Sequence, residues 1–305
     1  MGVGALRGAV ETEGHQGGRR DTKPGQNFAD HTTLPSPRLK RSYVYLRQGL
    51  LQTHTTEGVF PERALNVPAY AGWVDENTAW HGPTPLHNPL DVARLGEIYS
   101  RTAAFYDEIV AARQAQAKLK AIELLARQRS EVFLEVGAGT AWAFARIVEA
   151  SGPEHAYALD VATGMLDVAR DVLTESATVA SSLVAGDGRH LPLPDTSIDC
   201  LLNSYTFEVL GQADIRLVLV ETMRVLRPGG RAVIVNLTDA TNGGTDDEAM
   251  IADWKARYEA DPEFFGGARP LQLEAMLRAH GFDPVTRVYV GPDWPSEVLL
   301  ALKPA

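Results

Sequence analysis

The sequence predicts an α/β protein in which helices cover both faces of a mostly parallel sheet. Three observations carry that prediction. From about residue 131 onward, apolar β-type runs alternate with segments of helical period. The first of these runs ends in a glycine-rich turn, within EVFLEVGAGTAWAFAR from Glu131 to Arg146. The last two runs, Val285–Val290 and Glu297–Leu302, lie about six residues apart, too close for a crossover helix, so they should pair as an antiparallel hairpin.

The elements follow in order. Residues 91–128 repeat apolar side chains at three and four (Val92, Leu95, Ile98, Tyr99, then Phe105, Tyr106, Ile109, Val110) and read as helices. Strands are expected at 132–136, 156–160, 181–185, 198–203 and 231–237. Helices are expected at 141–150, 163–173, 213–226, 247–259 and 270–280. With the hairpin this makes a doubly wound, seven-stranded sheet. Residues 1–40 are rich in glycine, proline and polar side chains, and are expected to be a flexible tail. Residues 41–90 are expected to form an irregular N-terminal arm; its start, from Arg41 to about Leu51, suits a short helix or a strand. Proline and aromatic landmarks, among them Phe60, Tyr70, Trp73 and Trp80, would pack that arm onto the body at 91–305.

Composition narrows the function. The chain has 305 residues, 45% hydrophobic and 22% charged, which is enough to bury a sizeable core. A net charge of −10 disfavours a nucleic-acid or anionic-membrane surface. Cys200 is the single cysteine, so an intrachain disulfide and a CxxC site are excluded. The eight histidines are scattered without H-x-x-x-H spacing, and no metal is expected. No run approaches the ~20 apolar residues of a spanning helix. The expectation is a cytoplasmic protein, monomer or homodimer, acting on a small molecule, with no nucleic acid and no integral membrane segment.

The chemistry gathers at strand tips. Gly137 and Gly139 supply the backbone freedom of a strand-to-helix turn whose N–H groups face a ligand. Asp160 ends the second strand about twenty residues later, where a carboxylate can accept from two ribose hydroxyls, and Thr163 is the better cap for the next helix. Asp187, at the end of the third strand, could accept from an exocyclic amine. After strand five, 236–270 is the longest insertion at the carboxyl edge of the sheet and is expected to be a substrate-side lid. There Phe264 and Phe265 would close a flat apolar pocket and Arg269 would steer an anionic group.

These residues resemble class I S-adenosylmethionine-dependent methyltransferases, over roughly Arg94 to the C-terminus. The matching stretches, in order, are EVGAGT (Glu135 to Thr140), ALDVATGMLDVAR (Ala158 to Arg170), GDGRHLPLPDTSID (Gly186 to Asp199) and RVLRPGG (Arg224 to Gly230). Their wording looks most like the ubiquinone and menaquinone C-methyltransferase branch. The resemblance implies a Rossmann-like sheet, S-adenosyl-L-methionine as cofactor, and a small, apolar or aromatic, quinone-like acceptor. It also implies that Glu135, Gly137, Ala138 and Gly139 meet the methionine end of the cofactor and Asp160 the ribose. Val161 and Met165 would flank the adenine, and Asp187 and Gly188 would meet its edge. Asn203 and Ser204 would lie near the sulfonium, under Tyr106, while Glu208 and Tyr205 would stand on the substrate side as candidate bases. His190 and His81 are weaker candidates. The family commonly has glycine where this chain has Ala141. An NAD-dependent oxidoreductase shares the strand, glycine turn and acidic tip, but the third glycine of G-x-G-x-x-G would fall at Trp142. A non-catalytic scaffold on the same fold would have no need of the intact acidic and glycine positions.

Overall fold

The structure, a computed structural model, describes residues 85–175, 183–242, 244–292 and 294–305, with the backbone of 43–47, 50–55, 58–59 and 63–64. The expected tail at 1–40, together with Phe60, Tyr70, Trp73, Trp80 and His81 of the arm, lies outside the described residues. In the alternatives left open for 41–51 the strand prevails. Short strands β1 (Tyr43–Arg47), β2 (Leu50–Thr55), β3 (Gly58–Val59) and β4 (Arg63–Ala64) precede the body.

The body contains seven strands: β5 (Phe133–Val136), β6 (Ala156–Asp160), β7 (Leu183–Ala185), β8 (Ile198–Ser204), β9 (Leu226–Leu237), β10 (Val285–Val290) and β11 (Ser296–Leu302). Strands β7, β6, β5, β8 and β9 lie side by side and parallel; β11 then pairs antiparallel with both β9 and β10. The hairpin is therefore as expected. Backbone pairing of Tyr45 with Ala185 adds β1 parallel to the outer edge of β7. Because the chain runs from β5 outward to β7 and then returns to β8 on the other side of β5, the order reverses between β5 and β8. Ligands of open α/β sheets bind above such a reversal, at the carboxyl ends of the strands.

The helices are α1 (Val92–Tyr106), α2 (Ala112–Leu125), α3 (Trp142–Ser151), α4 (Thr163–Glu175), α5 (Gln212–Val225), α6 (Thr245–Ala260) and α7 (Glu274–Ala279). Asp91 caps α1 by accepting from the Arg94 N–H at 2.7 Å. Side chains alternate across the sheet, so Leu134 and Val136 of β5 pack with Val218 and Leu219 of α5 and Leu277 of α7. Phe133 points the other way, into Ala121 and Leu125 of α2, Phe144 of α3 and Leu173 of α4. Glu135 shares the face of Phe133, which directs it towards α2 and α3. Cys200 belongs to this second layer as a small buried hydrophobe, and burial pushes its thiol up to about 12.

Three boundaries differ from the sequence expectation. A five-residue π-turn, Asp107–Ala111, joins α1 to α2, an insertion that a 3.6-residue repeat does not register. Strand β9 begins at Leu226, because Leu226 pairs with Ile198 before a bulge and Gly229, at φ +74°, turns the chain without ending the strand. Helix α7 starts only at Glu274. Residues 270–273 stay outside the helix, with Leu271 N donating to Leu237 O at 2.9 Å.

Candidate active site

Above the reversal between β5 and β8 opens a cleft of about 890 Å³, part of it open to solvent. Its floor is the turn Gly137–Thr140, and its sides come from the tips of β6, β7 and β8 and from α1 and α2.

The glycine turn is built for close approach. Gly137 has φ +70°, and a Cβ there would lie 2.0 Å from the Thr206 Oγ1. Gly139 has φ +55°, but a Cβ there would meet nothing within 4 Å, so the space beside it belongs to the cleft. Its N–H donates to Asp160 Oδ2 at 2.7 Å, while the Ala162 N–H donates to Oδ1 at 2.8 Å. A carboxylate has about four acceptor positions, so Asp160 keeps capacity for two further donors. Burial raises its proton affinity, opposed by these backbone donors. Ala141 has φ +63° and no exposure, so the methyl where the family commonly has glycine strains the backbone and leaves the cleft wall untouched.

Glu135, 1% exposed, precedes the lining residue Val136 and does not itself line the cleft. The Ser204 hydroxyl donates to its Oε1 over a long 3.5 Å, and Oε2 has no partner among the described residues. Burial pushes this carboxyl up to about 8, against the pull of Lys118. A buried carboxylate oxygen with nothing to accept from is costly in an empty protein. In the cleft itself the open space beside Gly139 and the remaining acceptor positions of Asp160 fit the methionine end and the ribose of S-adenosylmethionine. At the opposite end Asp187 is not free: the Arg189 Nη2 and Nε donate to its Oδ2 at 2.7 and 3.0 Å, and Arg189 Nη1 donates to Asp214 at 2.8 Å. Burial works against its ionisation, but Arg189 outweighs it and holds the carboxyl below the usual range.

Most of the sequence-predicted cofactor residues come together here. Gly137, Ala138, Gly139, Asp160, Val161, Met165, Asp187, Gly188, Ser204 and Tyr106 all line the one cleft. Tyr106 stands edge-on to Tyr99 with ring centroids 6.0 Å apart. Glu135 and Asn203 do not line it: Glu135 is buried behind the strand tip, and the Asn203 Nδ2 donates to Val136 O at 3.1 Å from beneath the glycine turn.

The substrate-side residues need correction. Tyr205 lines the cleft, but its hydroxyl is held by Ser296 Oγ at 2.7 Å and burial pushes the phenol far above its ordinary range, which denies it the role of base at neutral pH. Glu208 is buried outside the cleft, its Oε2 accepting from the Leu237 N–H at 2.6 Å. Arg269 is 1% exposed and entirely occupied: Nε donates to Leu86 O at 2.6 Å, Nη1 to Glu208 O at 2.7 Å and Nη2 to Leu210 O at 2.6 Å. It ties three backbone segments together and cannot steer a substrate. Phe264 is 77% exposed and Phe265 packs on Trp254 at 4.5 Å; neither reaches the cleft. Of the weaker candidates, His190 does not line the cleft.

Among the polar cleft residues that escaped the sequence reading are Thr206, Arg189 and Lys118. Thr206 and Arg189 leave no pattern in a single sequence. Lys118 does: it occupies the buried stripe of α2 (Gln114, Ala117, Lys118, Ala121, Leu125), where the helical repeat calls for an apolar side chain.

A family model described as a methyltransferase domain matches residues 134–234. A malonyl-[acyl-carrier protein] O-methyltransferase of Dechloromonas aromatica is 32% identical over 49% of this chain and 52% of its own length. A ubiquinone/menaquinone biosynthesis C-methyltransferase of Methylobacterium nodulans is 32% identical over 52% of this chain and 66% of its own. Among solved structures, the [4+2]-cyclase SpnF superposes with a TM-score of 0.53 at 17% identity, over 70% of this chain and 96% of its own. The fold, the cleft and these matches together support a class I S-adenosylmethionine-dependent methyltransferase, similar to the ubiquinone and menaquinone C-methyltransferases and to the malonyl-[acyl-carrier protein] O-methyltransferases. The chain spans between 30% and 66% of the length of the first curated relatives it matches. Among the described residues no group of three or more His, Cys, Asp and Glu could hold a metal ion, and no helix is long and apolar enough to cross a membrane.

Proposed function

We propose that the chain transfers a methyl group from S-adenosylmethionine to a small, flat, apolar or aromatic acceptor such as a quinol. The observation that carries this reading is one continuous cleft with the glycine turn Gly137–Thr140 at one end, Asp160 in the middle and Asp187 at the other. That order matches methionine end, ribose and base along the cofactor. The cofactor supplies an electrophilic methyl on a sulfonium, so the protein's task is alignment and exclusion of water.

The acceptor reading is supported by the cleft walls, where Val92, Leu95, Tyr99, Tyr106, Val209 and Leu210 offer mostly apolar surface. Relatives named for quinone C-methylation point the same way. The test is transfer of labelled methyl from S-adenosylmethionine to a panel containing a demethylated quinol, a malonyl thioester and a histamine-type amine. The quinol should be the best acceptor. Preference for the thioester or the amine would overturn the acceptor class, and no transfer to any of them, with the cofactor bound, would favour a non-transferring use of the fold.

A further inference from the structure

Lys118 brings into the cleft a cation that no neighbouring acid neutralises by contact. It is 7% exposed and lines the cleft, and among the described residues its ammonium makes no hydrogen bond and no ion pair. Aromatic rings surround it instead: the Nζ lies 5.8 Å from the Trp142 ring and 5.7 Å from the Tyr205 ring. The Arg146 guanidinium adds a second positive charge 3.6 Å from the same Trp142 centroid. Burial lowers the proton affinity of Lys118; Glu135, Asp107 and Glu208 act the other way from a distance, and Arg146 acts with burial. None of those three acids lines the cleft, and Asp107 already accepts from the Thr140 hydroxyl at 2.8 Å. Burial pushes the Glu135 and Glu208 carboxyls up to about 8, so near neutrality both mostly hold a proton and offset little of the charge.

The strand order places this cation relative to the cofactor. Across the carboxyl ends the strands run β7, β6, β5, β8. Asp187 follows β7, Asp160 ends β6 and the glycine turn follows β5, which matches base, ribose and methionine end. The next position is the tip of β8, where Tyr205 follows Ser204, and Lys118 stands against the Tyr205 ring. The cation therefore lies past the span of the cofactor, on the side where the cleft has room left for the methyl acceptor. An ammonium held out of water without a partner is costly, and an anion on the ligand offsets that cost while favouring the charged form of the amine. The rings of Tyr99, Tyr106 and Tyr205, all lining the cleft, suit a flat aromatic body for the same ligand.

We propose that Lys118 holds an ionised oxygen of the methyl acceptor, so that the cleft selects a flat aromatic molecule bearing a phenolate or a carboxylate. This rests on the function proposed above and narrows it: an ionised quinol carries the group that Lys118 would hold, and a neutral aromatic ether does not. Because the contact favours the anion alone, it also makes a bound phenol easier to ionise.

The test is binding to the full chain saturated with S-adenosylhomocysteine, using three probes of similar shape: para-nitrophenol, para-nitrobenzoate and the neutral para-nitroanisole. Wild type should bind nitrophenolate or nitrobenzoate about tenfold or more tighter than nitroanisole, the range of a charge-assisted contact. The tighter of the two anions tells a phenolate site from a carboxylate site. Nitrophenolate absorbs visible light and nitrophenol does not, so the spectrum of the bound probe reads its ionisation, whose pKa should fall by about one unit where the phenolate is preferred. Lys118→Met should cut the preference to about threefold or less and remove the spectral shift, and Lys118→Arg should restore most of both. Affinity for S-adenosylhomocysteine should stay within about twofold in both variants, which also checks that they are folded. Parallel weakening of S-adenosylhomocysteine and the anionic probe would put Lys118 on the cofactor or in the structural frame and overturn the inference. So would equal binding of the three probes, no binding of either anion, or a preference that survives Lys118→Met. A wild-type chain that does not bind S-adenosylhomocysteine would overturn the functional reading itself, and this inference with it.

Discussion

Two glycines in the same turn should respond to the same substitution in opposite ways. Gly137→Ala places a methyl 2.0 Å from Thr206 Oγ1, 2.7 Å from its Cγ2 and 2.9 Å from its Cβ, at a φ of +70°. The left-handed backbone costs about 1–2 kcal/mol and the overlap about 1–3 kcal/mol more, so the variant should lose about 2–5 kcal/mol of folding stability. Gly139→Ala, at φ +55° with open space around the new methyl, should lose only the backbone part, about 1–2 kcal/mol. That methyl projects into the cleft, so its main effect should be on binding, with affinity for S-adenosylhomocysteine reduced tenfold or more. Urea unfolding measures the first quantity and calorimetry the second. A Thr206→Ala background removes two of the three clashing atoms and should lower the cost of Gly137→Ala by about 1 kcal/mol or more. If Gly139→Ala binds the ligand as wild type does, or if Gly137→Ala unfolds at the wild-type urea concentration, the geometry of the turn is not as described.

Three other outcomes follow from the same structure. Arg269→Met removes the side-chain donors of Leu86 O, Glu208 O and Leu210 O, of which Glu208 O keeps the Arg269 N–H at 3.1 Å, and should cost about 2–4 kcal/mol of stability by urea unfolding; a full-stability variant that loses only turnover would restore Arg269 to the substrate side. Burial holds the Glu208 carboxyl up at about 8, so the folded chain keeps a proton that the unfolded chain releases between its ordinary value near 4.5 and 8. The stability this provides is complete below the unfolded value and is lost as pH rises through about 8; Glu208→Gln should therefore gain on wild type by order of a few kcal/mol between pH 5 and pH 8, and a constant difference would refute it. Ala141→Gly removes a left-handed alanine and should raise stability by up to about 1 kcal/mol, against which an unchanged or lower melting temperature would count.

How much was legible in the sequence depended on whether a residue's role was local. The place of Gly137, Gly139 and Asp160 along one cleft was readable because strand, turn and tip follow one another, and a strand tip's place in a parallel sheet is fixed by the topology. The C-terminal hairpin was readable from loop length alone. The lid residues were not. Phe265 and Arg269 stand at the expected edge of the sheet, but whether a guanidinium meets a substrate or three carbonyls depends on the paths of 86–88 and 207–210, which no local pattern records. Lys118 was visible as a polar residue on an apolar stripe, a local inconsistency of the kind that marks functional positions. The pairing of Arg189 with Asp187 is also local, two residues apart, yet nothing in the motif wording marks it.

The central claim is that the cleft binds the cofactor through Asp160 and its neighbours, and titration of the full chain with S-adenosylhomocysteine tests it most directly. The account predicts saturable binding at one site per chain, weakened by about 1.5–3 kcal/mol in Asp160→Ala, with a melting curve confirming that the variant is folded. Absence of binding to the wild-type chain, or the same affinity in Asp160→Ala, would contradict it.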